Sequence, residues 1–185
     1  MAIQIEKQHL VAEDVYQLSL QGKHYELLNG ELIEKTPAKQ THGAIAAEIL
    51  RIVANFVREQ KLGTVYAAET GFALATGDVL APDVSFTIKS RIKPETEGFS
   101  TVAPDLAVEV ASLNNFGPEM QEKVTAYFQA GTRLVWIVYP RSRTIYVYTA
   151  ANKVNIVQQD ETLDGGEVLP GFKAALRDIF SVLDE

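Results

Sequence analysis

The segment Pro104-Asp105-Leu106-Ala107-Val108-Glu109-Val110-Ala111 constrains this chain more than any other. Apart from its two acids it is apolar on both faces, the pattern of a central strand in a sheet covered on each side. A chain of 185 residues accommodates such a sheet within one domain, taken here as 1–185, with enough buried surface to fold without disulfides or structural metal. Its 46% hydrophobic and 22% charged residues match globular proteins, which excludes disorder and fibrous repeats.

The flanking segments predict alternating helices and strands. Residues 12–20 carry Val15 and Leu18 at helical spacing, with Val11 before them. Two short β-like runs in residues 25–34 meet at Asn29-Gly30, a dipeptide that tolerates positive φ at both turn positions and so signals a hairpin. Residues 41–60 read as the longest helix, with Ile45, Ile49, Ile52 and Phe56 on one stripe, no proline, and Gly63 marking its end. Strands are expected over 64–75 and 82–89, separated by a turn at Thr76-Gly77-Asp78. Pro118 opens a second helix that Gly131 closes. Residues 133–139, 144–148 and 153–158 form a three-strand meander, and 174–182 a last short helix. The expected fold class is therefore mixed α/β (α+β).

Charge and composition remove several function classes. The formal net charge of −7 argues against a histone-like or coat-like nucleic-acid binder, although not against an enzyme with carboxylates around divalent ions and local basic residues. With no cysteine, disulfides, thiolate metal sites and cysteine nucleophiles are excluded. No apolar run approaches the ~18 residues of a membrane span, and the first residues show no basic segment followed by an apolar stretch. The expectation is a cytoplasmic protein without a membrane partner. There is no Gly-rich phosphate loop, and Ser85 and Ser112 lack a nucleophile-elbow context. His9 and His24 have no partner at metal-ligand spacing.

Three residues carry chemistry. Glu109 lies between Val108 and Val110 in the apolar strand, where an ionised carboxylate must be paired, hydrogen-bonded, protonated or metal-bound. It could instead face solvent on an edge strand or pair with an arginine. Asp83 starts a strand in which Val84, Phe86 and Ile88 take one face and Asp83, Ser85 and Thr87 the other. If the two strands are neighbours, Asp83 and Glu109 approach closely, and two such carboxylates suit a hard cation, Mg²⁺ or Mn²⁺. Lys123 heads a helical stripe with Ala126, Tyr127 and Ala130, an anomalous place for a lysine unless it snorkels outward or pairs with Glu119. Beside two metal-bound carboxylates it would orient an attacking water and stabilise an anionic transition state. The basic residues Lys89, Arg91 and Lys93 are either phosphate contacts or an ordinary solvated loop.

Taken in order, several motifs resemble the Uma2 family, whose members are described as predicted restriction endonucleases of the PD-(D/E)XK nuclease superfamily. These are Tyr25-Glu26-Leu27-Leu28-Asn29-Gly30-Glu31-Leu32, His42 at a helix head, Pro82-Asp83-Val84-Ser85, the strand from Pro104 on to Ser112, and Lys123 with Tyr127 and Gly131. The closing Leu169-Pro170-Gly171-Phe172 is similar too. The resemblance implies a restriction-endonuclease-like mixed β-sheet core flanked by helices. It implies Asp83 and Glu109 as ligands of Mg²⁺ or Mn²⁺, with the Val110 carbonyl completing the shell. Ala111 stands where the standard motif has its lysine, and Lys123 matches the position to which the family moves it. Glu31 and His42 match positions expected at the rim. The chain departs from the family at Asn114-Asn115-Phe116-Gly117-Pro118-Glu119, where an aspartate is usual, and at Tyr139-Pro140, where Asp-Pro is usual.

The expectation that follows is a metal-dependent phosphodiesterase acting on nucleic acid, DNA first, with a homodimer suited to duplex cleavage. The rival is a catalytically silent module on the same scaffold that binds nucleic acid or protein. A structural assembly subunit is a third reading.

Overall fold

A computed structural model of the chain describes residues 10–94, 97–112 and 117–184. Its elements, in order, are α1 (Ala12–Leu20), β1 (Tyr25–Leu28), β2 (Glu31–Glu34), α2 (Gln40–Gln60), β3 (Gly63–Ala67), β4 (Phe72–Ala73), β5 (Val79–Leu80) and β6 (Val84–Ile88). There follow β7 (Leu106–Val110), α3 (Pro118–Gln129), β8 (Leu134–Tyr139), β9 (Thr144–Ala150), β10 (Lys153–Val157), β11 (Thr162–Asp164), β12 (Lys173–Ala175) and α4 (Leu176–Phe180). The fold is mixed α+β, as expected.

The main sheet has six strands in the order β10-β9-β8-β7-β6-β3. β7 lies near its centre and is buried along its whole length, which is why its sequence has no polar face. β7 and β8 run parallel with α3 as their crossover, and the other neighbours are antiparallel. The alternation of β6 and β7 assigns the two faces. Val84, Phe86, Leu106, Val108 and Val110 pack with α2, α4 and the β11–β12 hairpin, while Ala107, Ala111, Val135 and Ile137 pack beneath α3. A second sheet, β2-β1-β5-β4, contributes Leu28, Phe72 and Leu80 to that α3 side, and α1 closes over its outer face through Val15, Leu27 and Val79.

The β1–β2 hairpin turns at Asn29 (φ 52) and Gly30 (φ 77), both in the left-handed region, the geometry expected of Asn-Gly. Its tip is pinned on two sides: the Asn29 N–H donates to Asp78 Oδ1 at 2.8 Å, and Asn29 Nδ2 to Glu122 Oε2 on α3 at 3.2 Å.

Three expectations are corrected. Gly63 does not end α2: the cap is Lys61 in the left-handed region (φ 56), and Gly63 opens β3, where a Cβ would stand 2.1 Å from the Thr87 carbonyl oxygen. The fully buried stripe of α2 is Ile45, Ile49, Val53 and Val57, with Ile52 and Phe56 only half-buried. Residues 173–175 form β12, paired with β11, before α4 begins at Leu176, because Ala174 and Ala175 meet Leu163 and Thr162 across the ladder. No helix among the described residues is long and apolar enough to cross a membrane.

Candidate functional site

Strand register brings the two predicted acids together. Val84 stands opposite Val108 and Ser85 opposite Ala107, so continuing the antiparallel register by one residue sets Asp83 opposite Glu109 on the same face. Asp83 lies just before β6 and finishes the ladder with its side chain: Oδ2 accepts the Val110 N–H at 2.7 Å. Both acids are buried. Glu109 is on a central strand, which excludes a solvated edge, and its side-chain partners among the described residues are Tyr127 and Lys123 rather than an arginine.

The crossover helix delivers the lysine. Lys123 turns inward with Ala126 and Tyr127, and its Nζ lies 2.6 Å from Glu26 Oε2 and 3.5 Å from Glu109 Oε2. One turn on, the Tyr127 hydroxyl donates to Glu109 Oε1 at 2.7 Å. His42, in the first turn of α2, places Nε2 3.1 Å from Asp83 Oδ2. Glu31 pairs across the hairpin with Leu28 on the face that Glu26 shares. It is exposed, and no hydrogen bond or ion pair among the described residues joins it to the cluster. Asn114, Asn115 and Phe116, from the loop that departs from the family pattern, lie outside the described residues, as does His9.

Two members of the cluster escaped sequence reasoning. Glu26 on β1 is fully buried and accepts the Ala81 N–H at 3.0 Å, besides its contact with Lys123. Lys35, one residue beyond β2, donates to Glu26 Oε1 at 3.2 Å and to the Ala81 carbonyl at 3.0 Å. In the sequence both look like solvent-facing residues of an amphipathic hairpin. The one available signal was that Glu26 falls on the same face as Leu28, which reads as core.

The groups divide by electrostatics. Burial pushes the Glu109 carboxyl above the usual carboxylate range, with Lys123 pulling it back. Burial also raises Glu26, but Lys123 and Lys35 outweigh it and hold this carboxyl below its usual value. At Asp83 burial is outweighed by His42 and the Val110 N–H, so its carboxyl is lowered too. Burial lowers both lysines, yet the acids around them win: Glu109 and Glu26 raise Lys123, and the same pair raises Lys35. The contact with Asp83 raises His42. Tyr127 stays protonated well above its ordinary range, through burial and then Glu109, so it remains a donor. Asp83 and Glu26 are thus anions at neutral pH, while Glu109 gains most from a further cation.

Among the described residues no group of three or more His, Asp and Glu side chains is arranged to cage a metal. A small hard ion asks for less, since Mg²⁺ is commonly held by one or two carboxylates with waters completing its shell. Asp83 Oδ1 accepts no hydrogen bond from the described residues, and Glu109 Oε2 has only the 3.5 Å contact to Lys123. These two carboxylate oxygens are of the hard donor type that Mg²⁺ or Mn²⁺ takes.

The mixed sheet, with its helical crossover between β7 and β8, is shared with a solved protein. The fold matches a crystal structure from Anabaena variabilis ATCC 29413, described as a "putative nuclease belonging to DUF820", with TM-score 0.79 and 21% identity over 91% of this chain and 98% of that one. At that identity the likeness establishes the fold. The family is established by sequence: residues 12–177 match the model of Uma2, described as "Putative restriction endonuclease", and the chain belongs to that family. No curated protein matches the chain.

Proposed function

We propose that this protein is a Mg²⁺- or Mn²⁺-dependent nuclease that hydrolyses phosphodiester bonds, with DNA as the first substrate to test. The observation that carries the proposal is the facing pair Asp83 and Glu109 with Lys123 brought to Glu109 by the following helix. Membership of a family described as restriction endonucleases supports the same reading.

Asp83, Glu109 and the Val110 carbonyl would hold the ion. When bound, it supplies a Lewis acid that lowers the pKa of a water and offsets phosphate charge. The remaining work belongs to the chain. Tyr127 donates to Glu109 Oε1 and fixes that carboxylate's rotation, leaving Oε2 turned toward Lys123. The Val110 N–H and His42 fix Asp83 in the same way. Lys123, a permanent cation, would orient the attacking water and stabilise charge developing on the phosphate. Glu26 holds that lysine at 2.6 Å, so its position does not depend on Glu109 alone. A homodimer would present two such clusters to the two strands of a duplex, and sedimentation with and without DNA tests it.

The experiment is a plasmid assay with Mn²⁺, run beside calorimetric titration of Mn²⁺ into wild type and Glu109→Ala. Expected are cleavage and ion binding by wild type, both lost in Glu109→Ala, with cleavage also lost in Asp83→Ala. Undiminished cleavage by both alanine variants overturns the proposal. One observation favours the silent-module reading: Lys123 is clasped by two glutamates and the cluster carries its own cations. Binding of a short duplex that ignores EDTA, with no cleavage of any substrate, selects that reading.

A further inference from the structure

The six titratable residues of the site differ in how far they reach toward solvent. Lys35 is the most exposed side chain among them at 31%, followed by His42 at 20%, while Asp83, Glu109, Lys123 and Glu26 are all at 9% or below. Within this cluster the two most exposed side chains are thus bases, and its three carboxylates lie deeper, on a protein whose net charge is −7.

Lys35 is also surplus to the needs of its neighbour. Glu26 already has a counterion in Lys123 at 2.6 Å on Oε2, and a backbone donor, the Ala81 N–H, at 3.0 Å on Oε1. An ammonium has three N–H groups, and those of Lys35 find two acceptors, Glu26 Oε1 and the Ala81 carbonyl. The third has no protein acceptor among the described residues. The residue is not loosely placed either, because its backbone N–H extends the hairpin ladder to the His24 carbonyl at 2.8 Å. The more obvious basic cluster, Lys89, Arg91 and Lys93, follows the far end of β6 from Asp83, and its Arg91 is committed to Asp105 at 2.6 Å.

We infer that Lys35 is the entry cation of this site, the residue that takes a phosphate oxygen of the nucleic-acid strand as it settles over Asp83 and Glu109. The inference rests on the nuclease reading and adds to it a named phosphate contact. It assigns Lys35 to strand binding rather than to the chemical step.

The two roles separate in the salt dependence of binding. Each phosphate contact to B-DNA contributes about 0.9 to the slope of log K against log salt, whereas a purely structural lysine contributes nothing. The probe is a fluorescent mixed-sequence DNA duplex, titrated in EDTA and again in Ca²⁺ over a range of NaCl. Lys35→Gln keeps donors for Glu26 and Ala81 and removes the charge. The expected result is a slope shallower by about 0.9, weaker binding on all sequences alike, and a wild-type slope in Lys35→Arg. Lys173→Met, on the β11–β12 hairpin that packs against the other face of the main sheet, serves as the control and keeps the wild-type slope.

An unchanged slope in Lys35→Gln, with wild type binding and cutting DNA, overturns the inference and leaves the nuclease reading standing. A wild type that neither binds nor cuts DNA overturns both. If Lys35→Gln does not fold, Glu26→Gln/Lys35→Gln read against Glu26→Gln alone makes the same comparison.

Discussion

Asp105 and Glu109 are buried acids four positions apart, one immediately before β7 and the other within it. They differ in everything except burial. Asp105 Oδ1 receives Arg91 at 2.6 Å and Arg133 through both Nε and NH2 at 2.9 Å, and Oδ2 receives the Ile88 N–H at 2.8 Å. Its lone pairs are filled by rigid guanidinium forks and backbone, the arrangement that makes a buried acid a structural rivet. Glu109 is met by a tyrosine hydroxyl, a lysine 3.5 Å away and another acid opposite, and burial pushes its carboxyl up. A buried acid alone is thus no mark of function. What separates the two is whether the partners leave an oxygen available.

The comparison can be broken most decisively at Glu109. Glu109→Ala is expected to reduce plasmid cleavage by at least about 10²-fold. The melting temperature should stay within a few degrees of wild type, since the variant removes an acid whose burial already disfavours its charge. A collapse of the fold would show that Glu109 is a rivet after all. Asp105→Ala should do the opposite. It strips a backbone N–H and two arginines of their acceptor, costing about 3 kcal/mol, toward the lower end of a buried pair because both guanidiniums are partly in water. At roughly 2–4 °C per kcal/mol for a chain this size, calorimetry should find melting lowered by roughly 6–12 °C, with turnover per folded molecule retained.

Tyr127→Phe sharpens the contrast more finely. It removes one hydrogen bond to Glu109 without touching the acids, so turnover should fall roughly tenfold and stability by about 1 kcal/mol. Equal losses in a matched Arg133→Gln variant's turnover would erase the distinction between the two ends. The smallest effect concerns pH in the metal-free protein. His42 is raised by Asp83, so its contribution to stability is complete below the ordinary histidine value near 6.5 and fades as pH climbs through the raised folded value. Asp83 is lowered, so its share is present above the ordinary aspartate value and fades only as acid protonates it. In EDTA the melting temperature should slip slightly as pH rises through and above neutrality. His42→Gln should remove that slope, and a slope of equal size in the variant would refute the assignment.

Most of this frame was legible in the sequence where local chemistry dictates the outcome. Asn29-Gly30 can scarcely be anything but a tight hairpin turn, and the residues from Leu106 to Val110 have no polar face to expose. Glu109 and Lys123 stood out because each is a charge in an apolar pattern, and Asp83 because its strand could lie beside that of Glu109. Glu26 and Lys35 did not, since polar residues in a short hairpin normally face water. They enter the site only because the whole hairpin docks against the main sheet, a tertiary event that no period encodes. β5, at two residues, is too short to carry a period. Gly63 was misread because a glycine after a helix signals a cap, whereas here it relieves a clash with the neighbouring strand.

The pinned hairpin tip bears on how the protein comes to be active. Asn29 and Glu122, which it joins, are 93 residues apart in the chain, and Glu26 and Lys123 lie beside them. Closing so long a loop is a late and slow step compared with forming helices or the local β8–β10 meander. In a refolding experiment, far-UV dichroism should therefore recover before the hairpin docks. A chain whose hairpin has not docked would hold Glu109 and Lys123 without Glu26 and Lys35 beside them.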